Sequence, residues 1–270
     1  MKKTVLITGS TDGIGKETAL ELAAKNYIII IHGRNKKKIE STINWIIKKT
    51  SNSDVYGIIA DFVSLSDVKR MAEEVTGKFK QLDIIINNAA VFSHVYKETV
   101  DGLETTFQIN YLAHFYLTNL LLNNYSFKYP LRIVNVSSMA HASSINFSQL
   151  LNNENYDGYR AYSLSKLLNL LFSYKLADTL RDKGITVNSL HPGVINTKLL
   201  IEGWGSIGSE IKEGAKNELF VSISDEVEGI TGKYFMNGKI VSSAKISYDI
   251  EVQNKLWDFS VRLLKERNLD

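Results

Sequence analysis

At 270 residues, 44% of them hydrophobic, the chain is long enough to bury one sizeable α/β core. Thirty-two basic against 29 acidic residues leave a net charge of +3, too small and too dispersed to suit nucleic acid or an anionic membrane, so small molecules are the expected partners. There is no cysteine, which excludes disulfides, thiolate metal sites and a cysteine nucleophile and fits a reducing compartment.

The amino terminus, Met1-Lys2-Lys3-Thr4, leads into a single short apolar run, Val5-Leu6-Ile7, before Thr8-Gly9. That run is far short of a signal-peptide core or a membrane span, so a soluble, unprocessed, cytoplasmic protein is expected. From there, short β-branched runs alternate with longer helical patterns almost to the end. The expected strands are Thr4–Thr8, Tyr27–His32, Val55–Ala60, Ile84–Asn87, Arg132–Ser137, Thr186–Leu190 and a short Gly232–Phe235. Continuous apolar runs such as Tyr27-Ile28-Ile29-Ile30-Ile31 suit strands covered on both faces, the situation in a parallel sheet. The alternation therefore predicts an α/β, Rossmann-type doubly wound parallel sheet of about seven strands with helices on both faces. No repeat or Pro/Gly/Ser-rich linker divides the chain, so a single domain over 1–270 is expected.

The first strand ends in Thr8-Gly9-Ser10-Thr11-Asp12-Gly13-Ile14-Gly15, and a helix follows to about Lys25. Glycines between a strand and a helix allow a tight turn and bring backbone amides close to a pyrophosphate, which also meets the helix's positive end. The second strand ends in His32-Gly33-Arg34-Asn35, followed by Lys36, Lys37 and Lys38. An acid near this point binds the adenosine ribose of NAD(H), whereas an arginine accommodates the 2′-phosphate of NADP(H); Arg34 favours NADP(H) over NAD(H). The lysines are expected to form a solvated helix start, with one at most reaching the phosphate. Asp61, in Ala60-Asp61-Phe62, either faces the adenine or caps the helix entered at Leu65.

The fourth strand runs into Asn87-Asn88-Ala89-Ala90, where small residues let a cofactor pack on the backbone and the asparagines can tie neighbouring strand ends together. In the helix expected from Leu103 to Asn123, Asn110 interrupts an apolar, aromatic face. A buried amide needs partners, so Asn110 either bonds a neighbouring backbone or holds a water. The fifth strand ends in Ser137-Ser138, and sheet geometry places that end beside the helix carrying Tyr162 and Lys166. Those two side chains, four residues apart, share a helix face. A free phenol titrates near ~10, and a neighbouring cation brings it towards the working range. After the sixth strand comes His191-Pro192-Gly193-Val194-Ile195-Asn196-Thr197.

In this order the stretches resemble the short-chain dehydrogenase/reductase family over nearly the whole chain. The runs Arg132–Ser138, Phe107–Phe115 and Gly229–Phe235 are most similar to its retinol-dehydrogenase-like branch. Ala90 stands where that family usually has glycine, which narrows the nicotinamide pocket. The resemblance implies Tyr162 as proton donor or acceptor at a carbonyl or alcohol, with Lys166 lowering its pKa and holding the nicotinamide ribose. Ser138 would hydrogen-bond the substrate oxygen, and Asn110 would hold a water linking Lys166 to solvent. It implies cofactor contacts from Gly9 to Gly15, from Arg34 and Asn35, from Asp61 and Phe62, and from Asn88, Ala89 and Ala90. On the nicotinamide side Pro192, Gly193, Ile195 and Thr197 would add theirs. No metal is needed, and His94 and His191 are expected to be structural.

A substrate lid is expected over 198–220, apolar through Leu199, Leu200, Ile201 and Trp204, with Gly203, Gly205 and Gly208 giving it freedom to open. An apolar carbonyl or alcohol substrate follows. Relatives often pair through the helices that here carry Asn110 and Tyr162, so a homo-oligomer is one expectation. The amphipathic Asp249–Arg267 is expected to dock on the protein's own core. The reading is thus an NADP(H)-dependent oxidoreductase, a carbonyl reductase or retinol-dehydrogenase-like enzyme. A non-catalytic NADP(H)-binding sensor is the alternative, against which the intact set of Asn110, Ser138, Tyr162 and Lys166 argues.

Overall fold

The computed structural model describes residues 2–125, 130–151 and 155–269; residues 152–154, in the polar loop ahead of Tyr162, lie outside them. Its first half follows the predicted alternation: β1 (Thr4–Ile7), α1 (Gly13–Ala24), β2 (Ile28–Gly33), α2 (Lys36–Thr50), β3 (Val55–Ile59), α3 (Leu65–Lys78) and β4 (Ile84–Asn87). Next come α4 (Thr105–Phe107), a π-helical turn over Gln108–Leu112, α5 (Ala113–Asn124), β5 (Leu131–Val136), α6 (Gly158–Thr179) and β6 (Ile185–His191). The chain closes with α7 (Lys198–Trp204), α8 (Ile211–Ile223), β7 (Tyr234–Met236), β8 (Lys239–Val241) and α9 (Ile250–Lys265).

One sheet holds all these strands in the order β3-β2-β1-β4-β5-β6-β7-β8, parallel except for the last pair. The extra strand, β8, pairs antiparallel with β7 through a turn at Asn237 and Gly238, both at positive φ. Asn-Gly is the usual residue pair of such a hairpin, so the signal for this strand stands in the sequence. Side chains alternate across the sheet. Leu6, Ile30, Ile85 and Ile133 face the core under α3, α5 and α6, whereas Val5, Ile29, Ile86 and Val134 face the core under α1, α2 and α8. Strands buried on both faces explain the unbroken isoleucine runs.

Chain order reverses between β1 and β4, so the crossovers leave β1 in opposite directions and a crevice opens at the carboxyl ends of these strands. Local chemistry holds the edges of that crevice. Asp12 caps α1 by accepting from the Gly13 amide at 2.9 Å, Asn35 caps α2, and Ser64 caps α3. Helix α9 covers the outer face of α5 and α6. Trp257 packs on Phe115 at 4.9 Å between ring centroids, and the Ser260 and Tyr111 hydroxyls meet at 2.7 Å. That helix docks on the core, as expected.

Helices α1 and α8 are joined through a buried polar contact, Thr18 Oγ1 donating to Glu218 Oε2 at 2.7 Å. The other oxygen, Oε1, has no partner among the described residues. Burial pushes the Glu218 carboxyl up to about 7, against the lowering effects of Thr18 and Lys166. A carboxyl raised in the folded state costs nothing where both states are protonated, and its cost grows as pH rises from the unfolded pKa to the folded one. Glu218→Gln keeps the acceptor for Thr18 and removes the ionisation. It should therefore leave stability unchanged near pH 4.5 and raise it by up to about 3 kcal/mol above pH 7, since each tenfold change in proton affinity is worth about 1.36 kcal/mol. Denaturant unfolding of both proteins at the two pH values checks this; a gain independent of pH would contradict it.

Candidate active site

The crevice is a cleft of about 800 Å³, within the size range of small-molecule and cofactor sites, running from the β2 end past β1 and β4 to α6 and α7. Gly9, Thr11, Asp12, Gly13 and Ile14 line one part of it. Gly9 has φ +63, and a Cβ there would lie 2.8 Å from the Ala89 Cα, so the turn requires glycine. Gly13, at φ +55, opens α1 and leaves its first amides towards the cleft. At the β2 end Arg34 lines the wall together with Lys38, the one lysine of the three to do so. Asp61 and Phe62 lie across from them. Asp61 is not a helix cap, since Ser64 takes that place; among the described residues its carboxylate accepts only from the Val63 amide, at 3.3 Å.

Three expected contacts are not at the cleft. Ser10 is fully buried, its hydroxyl donating to Ile7 O at 2.8 Å and accepting from His32 N at 3.0 Å, so it braces β1 against β2. Asn35 spends its side chain on the Lys38 amide at 3.1 Å. Gly15 faces Asn88 behind the turn, where a Cβ would collide with the Asn88 amide nitrogen. A residue that no sequence motif marks does line the cleft: His32. Its Nδ1 accepts from the Gly9 amide at 3.1 Å, and the ring stacks on Phe62 at 4.4 Å. Burial holds this imidazole down at about 4, so it is neutral and fixed as an acceptor for the turn.

Asn88, Ala89 and Ala90 form the central wall. As expected, the paired asparagines tie strand ends together. Asn88 Nδ2 donates to Thr8 O at 2.8 Å, and Asn87 Nδ2 to Asn135 Oδ1 at 2.8 Å. Asn110 lies behind this wall and is fully buried. Its Oδ1 accepts from Val91 N at 2.8 Å, and its Nδ2 donates to Val91 O at 3.0 Å and to Ser165 Oγ at 3.1 Å. Of the two alternatives, the side-chain amide bonds neighbouring backbone, that of Val91. The π-helical turn points it at Val91 instead of at the cleft.

Tyr162, Lys166 and Ser138 meet at the far end. The Ser138 hydroxyl lowers the Tyr162 phenol, and burial, the larger effect, pushes it up to about 12. Lys166 Nζ donates to Val136 O at 2.9 Å and stands 5.5 Å from the Tyr162 ring centroid. Burial lowers the ammonium to about 8, partly offset by Glu218. Desolvation dominates both groups, and the ammonium is directed at the Val136 carbonyl. His141, unmarked in the sequence, positions Ser138. Its Nδ1 donates to Ser138 O at 2.6 Å, while its Nε2 accepts from Ala244 N at 3.0 Å.

Pro192, Gly193, Ile195 and Thr197 line the remaining side, and Asn217 Nδ2 donates to Pro192 O at 2.9 Å. The segment over 198–220, expected as a substrate lid, is held at several points by the body of the fold. Helix α8 belongs to the body of the fold, since Gly214 packs on Ile14 and Ile195 and Val221 is core. Asn196 stitches the return of the lid to Gly208 by paired hydrogen bonds of 2.7 and 2.8 Å. Gly203 is no hinge: its carbonyl accepts from Tyr159 OH at 2.5 Å, and its Cα packs on the Phe92 ring. His94 Nε2 donates to Glu202 O at 2.8 Å, and Trp204 stands edge-on to Tyr162 at 5.4 Å. Lys198 pairs with Asp12 across the cleft mouth. The remaining rim, Met139, Val194, Ile201 and Ile207, is apolar and exposed.

A cleft at the switch point of a doubly wound sheet, with a glycine turn at one end and a tyrosine, lysine and serine at the other, defines a nicotinamide-dependent oxidoreductase. The chain belongs to the short-chain dehydrogenase/reductase family, and to its retinol-dehydrogenase-like branch: the family model described as short chain dehydrogenase matches residues 3–204. It is 37% identical to human (Homo sapiens) "Retinol dehydrogenase 12" over 97% of this chain and 86% of that protein. Among solved structures it is similar to an uncharacterised protein from Mycobacterium paratuberculosis, with 31% identity, TM-score 0.81, and coverage of 97% of this chain and 93% of the other. A short chain dehydrogenase from Escherichia coli complexed with NADPH shares the fold, with 22% identity, TM-score 0.70, and coverage of 86% and 95%. The protein is thus a hydride-transferring oxidoreductase that uses a nicotinamide cofactor. No helix among the described residues is long and apolar enough to cross a membrane.

The clamp on the lid can be tested directly. Tyr159→Phe removes one hydrogen bond to Gly203 O and keeps the aromatic packing. It should speed amide exchange about tenfold around residues 201–207, as loss of one net hydrogen bond does, with little effect elsewhere. Exchange mass spectrometry of both proteins reads the difference, and equal rates would show that the lid is held by packing alone.

Proposed function

We propose that the protein is an NADP(H)-dependent carbonyl reductase for apolar aldehydes or ketones. The observation that carries the reading is the convergence of Tyr162, Ser138 and Lys166 at one end of a cleft whose other end presents Arg34 and Lys38. Two cations at the end of β2, with no acid in Gly33-Arg34-Asn35, suit a 2′-phosphate better than a ribose hydroxyl. The fit of a dinucleotide rests on the Gly9 turn, which admits no Cβ, on the amides opening α1, and on the small side chains of Ala89 and Ala90. When bound, the nicotinamide supplies or accepts the hydride.

The chain's own residues manage one proton. Ser138 Oγ holds the carbonyl oxygen, and Tyr162 OH gives it a proton as negative charge develops there. A phenol raised to about 12 remains protonated at neutral pH and is ready as a donor. The Lys166 ammonium offsets the phenolate left behind. Among the described residues Lys198 and Asp12 are the only charged ones in the lid-side rim, the polar Asn196 and Thr197 spend their side chains on Gly208 and Leu200, and the remaining side chains are apolar, which supports an apolar substrate.

NADPH consumption with a panel of apolar aldehydes and ketones, with NADH run in parallel, tests the reading. Tyr162→Phe should lower turnover by about 10²- to 10⁴-fold, the usual worth of a general acid, and leave NADPH binding intact. Arg34→Ala should lower the preference for NADPH over NADH by about tenfold or more, the worth of a charge-assisted hydrogen bond. Reduction should fall as pH rises through about 8, where Lys166 loses its proton. Tight NADPH binding with no turnover on any panel member would instead favour the sensor reading.

A further inference from the structure

Behind the cleft wall lies a closed ring of buried hydrogen bonds. Thr8 Oγ1 accepts from Asn88 N at 2.9 Å and from Ala89 N at 3.0 Å, fixing one end of the 88–91 segment. Asn110 grips the other end through both polar atoms of Val91, at 2.8 and 3.0 Å. His114 joins the two grips: its Nε2 lies 2.8 Å from Thr8 Oγ1 and its Nδ1 3.1 Å from Asn110 O. A spur leads from the ring to the proton-donating helix, because Asn110 Nδ2 donates to Ser165 Oγ, which donates to Tyr162 O at 2.7 Å.

Counting donors fixes the state of the histidine. A carbonyl only accepts, so Nδ1 carries the hydrogen towards Asn110 O. Thr8 Oγ1 already accepts two amides, so its own hydrogen goes to Nε2 at 2.8 Å in preference to the more distant Ile86 O at 3.4 Å, and Nε2 is bare. The ring closes only with a neutral Nδ1–H imidazole. Its surroundings agree, since the site is fully buried and the facing charged or titratable groups, Lys166 and His32, both disfavour a cation.

We infer that His114 is a positioning residue that closes this ring, so that the wall receiving the cofactor and the helix carrying Tyr162 hold one geometry. Without His114, the Thr8 hydroxyl hydrogen keeps only the longer contact to Ile86 O at 3.4 Å and Asn110 O loses the imidazole donor, so the two grips on the wall are no longer tied to each other.

Two measurements test the inference, and only the second rests on the cofactor reading above. Long-range ¹H–¹⁵N spectra, with the His114 signals assigned by their loss in His114→Phe, should show protonated Nδ1 and bare Nε2, unchanged from about pH 5.5 to about pH 8. An Nε2–H tautomer, or titration in that window, would overturn it. NADPH affinity by fluorescence should weaken about tenfold in His114→Phe, and turnover should fall with it, while His114→Gln, which can donate and accept, should stay within about threefold of the parent. Unchanged affinity in His114→Phe, or a Gln variant as impaired as the Phe variant, would defeat it. If the parent itself fails to bind NADPH, the functional reading falls and the tautomer still decides the role of His114.

Discussion

The site depends on the way β1 and β4 end side by side. Parallel neighbours at a switch point diverge, because the connections leaving them run to opposite faces, and a crevice of useful width forms only if the two ends are held. Thr8 does the holding with a buried hydroxyl that takes two amides of the β4 exit, while Asn88 returns a hydrogen bond to the Thr8 carbonyl. Gly9 follows because the Ala89 backbone then passes too close for any Cβ. Small residues at 89 and 90 are what remain compatible with a ligand on the other side. One tie between two strand ends thus dictates the turn and the wall it faces.

How much of this was legible in the sequence divides by the range of the interactions involved. Gly9, Gly13 and Arg34 were readable because a phosphate-facing turn and a strand-end cation are properties of a few consecutive residues. Tyr162 and Lys166 were readable because helix periodicity alone places them on one face. Ser10 and Asn35 were assigned to the cleft and lie away from it, and which of its two alternatives Asn110 takes could not be read. Their side chains are directed by partners such as His32 and Val91, or by a cap, which a motif does not specify. The lid shows the same limit. Gly203 reads as a flexible residue in isolation, yet Tyr159 and Phe92, distant in the chain, hold it in place. The eighth strand is a different case, since Asn237-Gly238 announced it locally and its shortness obscured it.

Helix α9 adds a constraint of another kind. By laying Trp257 and Ser260 over α5 and α6, it keeps the backs of the helices that carry the site away from solvent. The aromatic contacts Tyr111, Phe115 and Phe172 make with it and with one another fill the space between those helices. A side chain such as Asn110, one turn from this core, can then be wholly dry. Dryness is what obliges its amide to be spent on Val91 and Ser165.

The same dryness shapes the proton chemistry. Burial raises the Tyr162 phenol and lowers the Lys166 ammonium, so each charge taken alone is penalised. At neutral pH the phenol keeps its proton and the ammonium keeps its own, which is the state a proton donor needs. In the reaction we propose, the phenol would give up its proton to the substrate, and the new negative charge would arise beside a positive one already present, so that the pair is neutral as a whole. In a medium of low dielectric that mutual attraction is far stronger than it would be in water. A dry site therefore opposes formation of the phenolate in isolation and favours it beside Lys166, so the cost that burial imposes on each group separately becomes a preference for the charge arrangement that proton transfer creates.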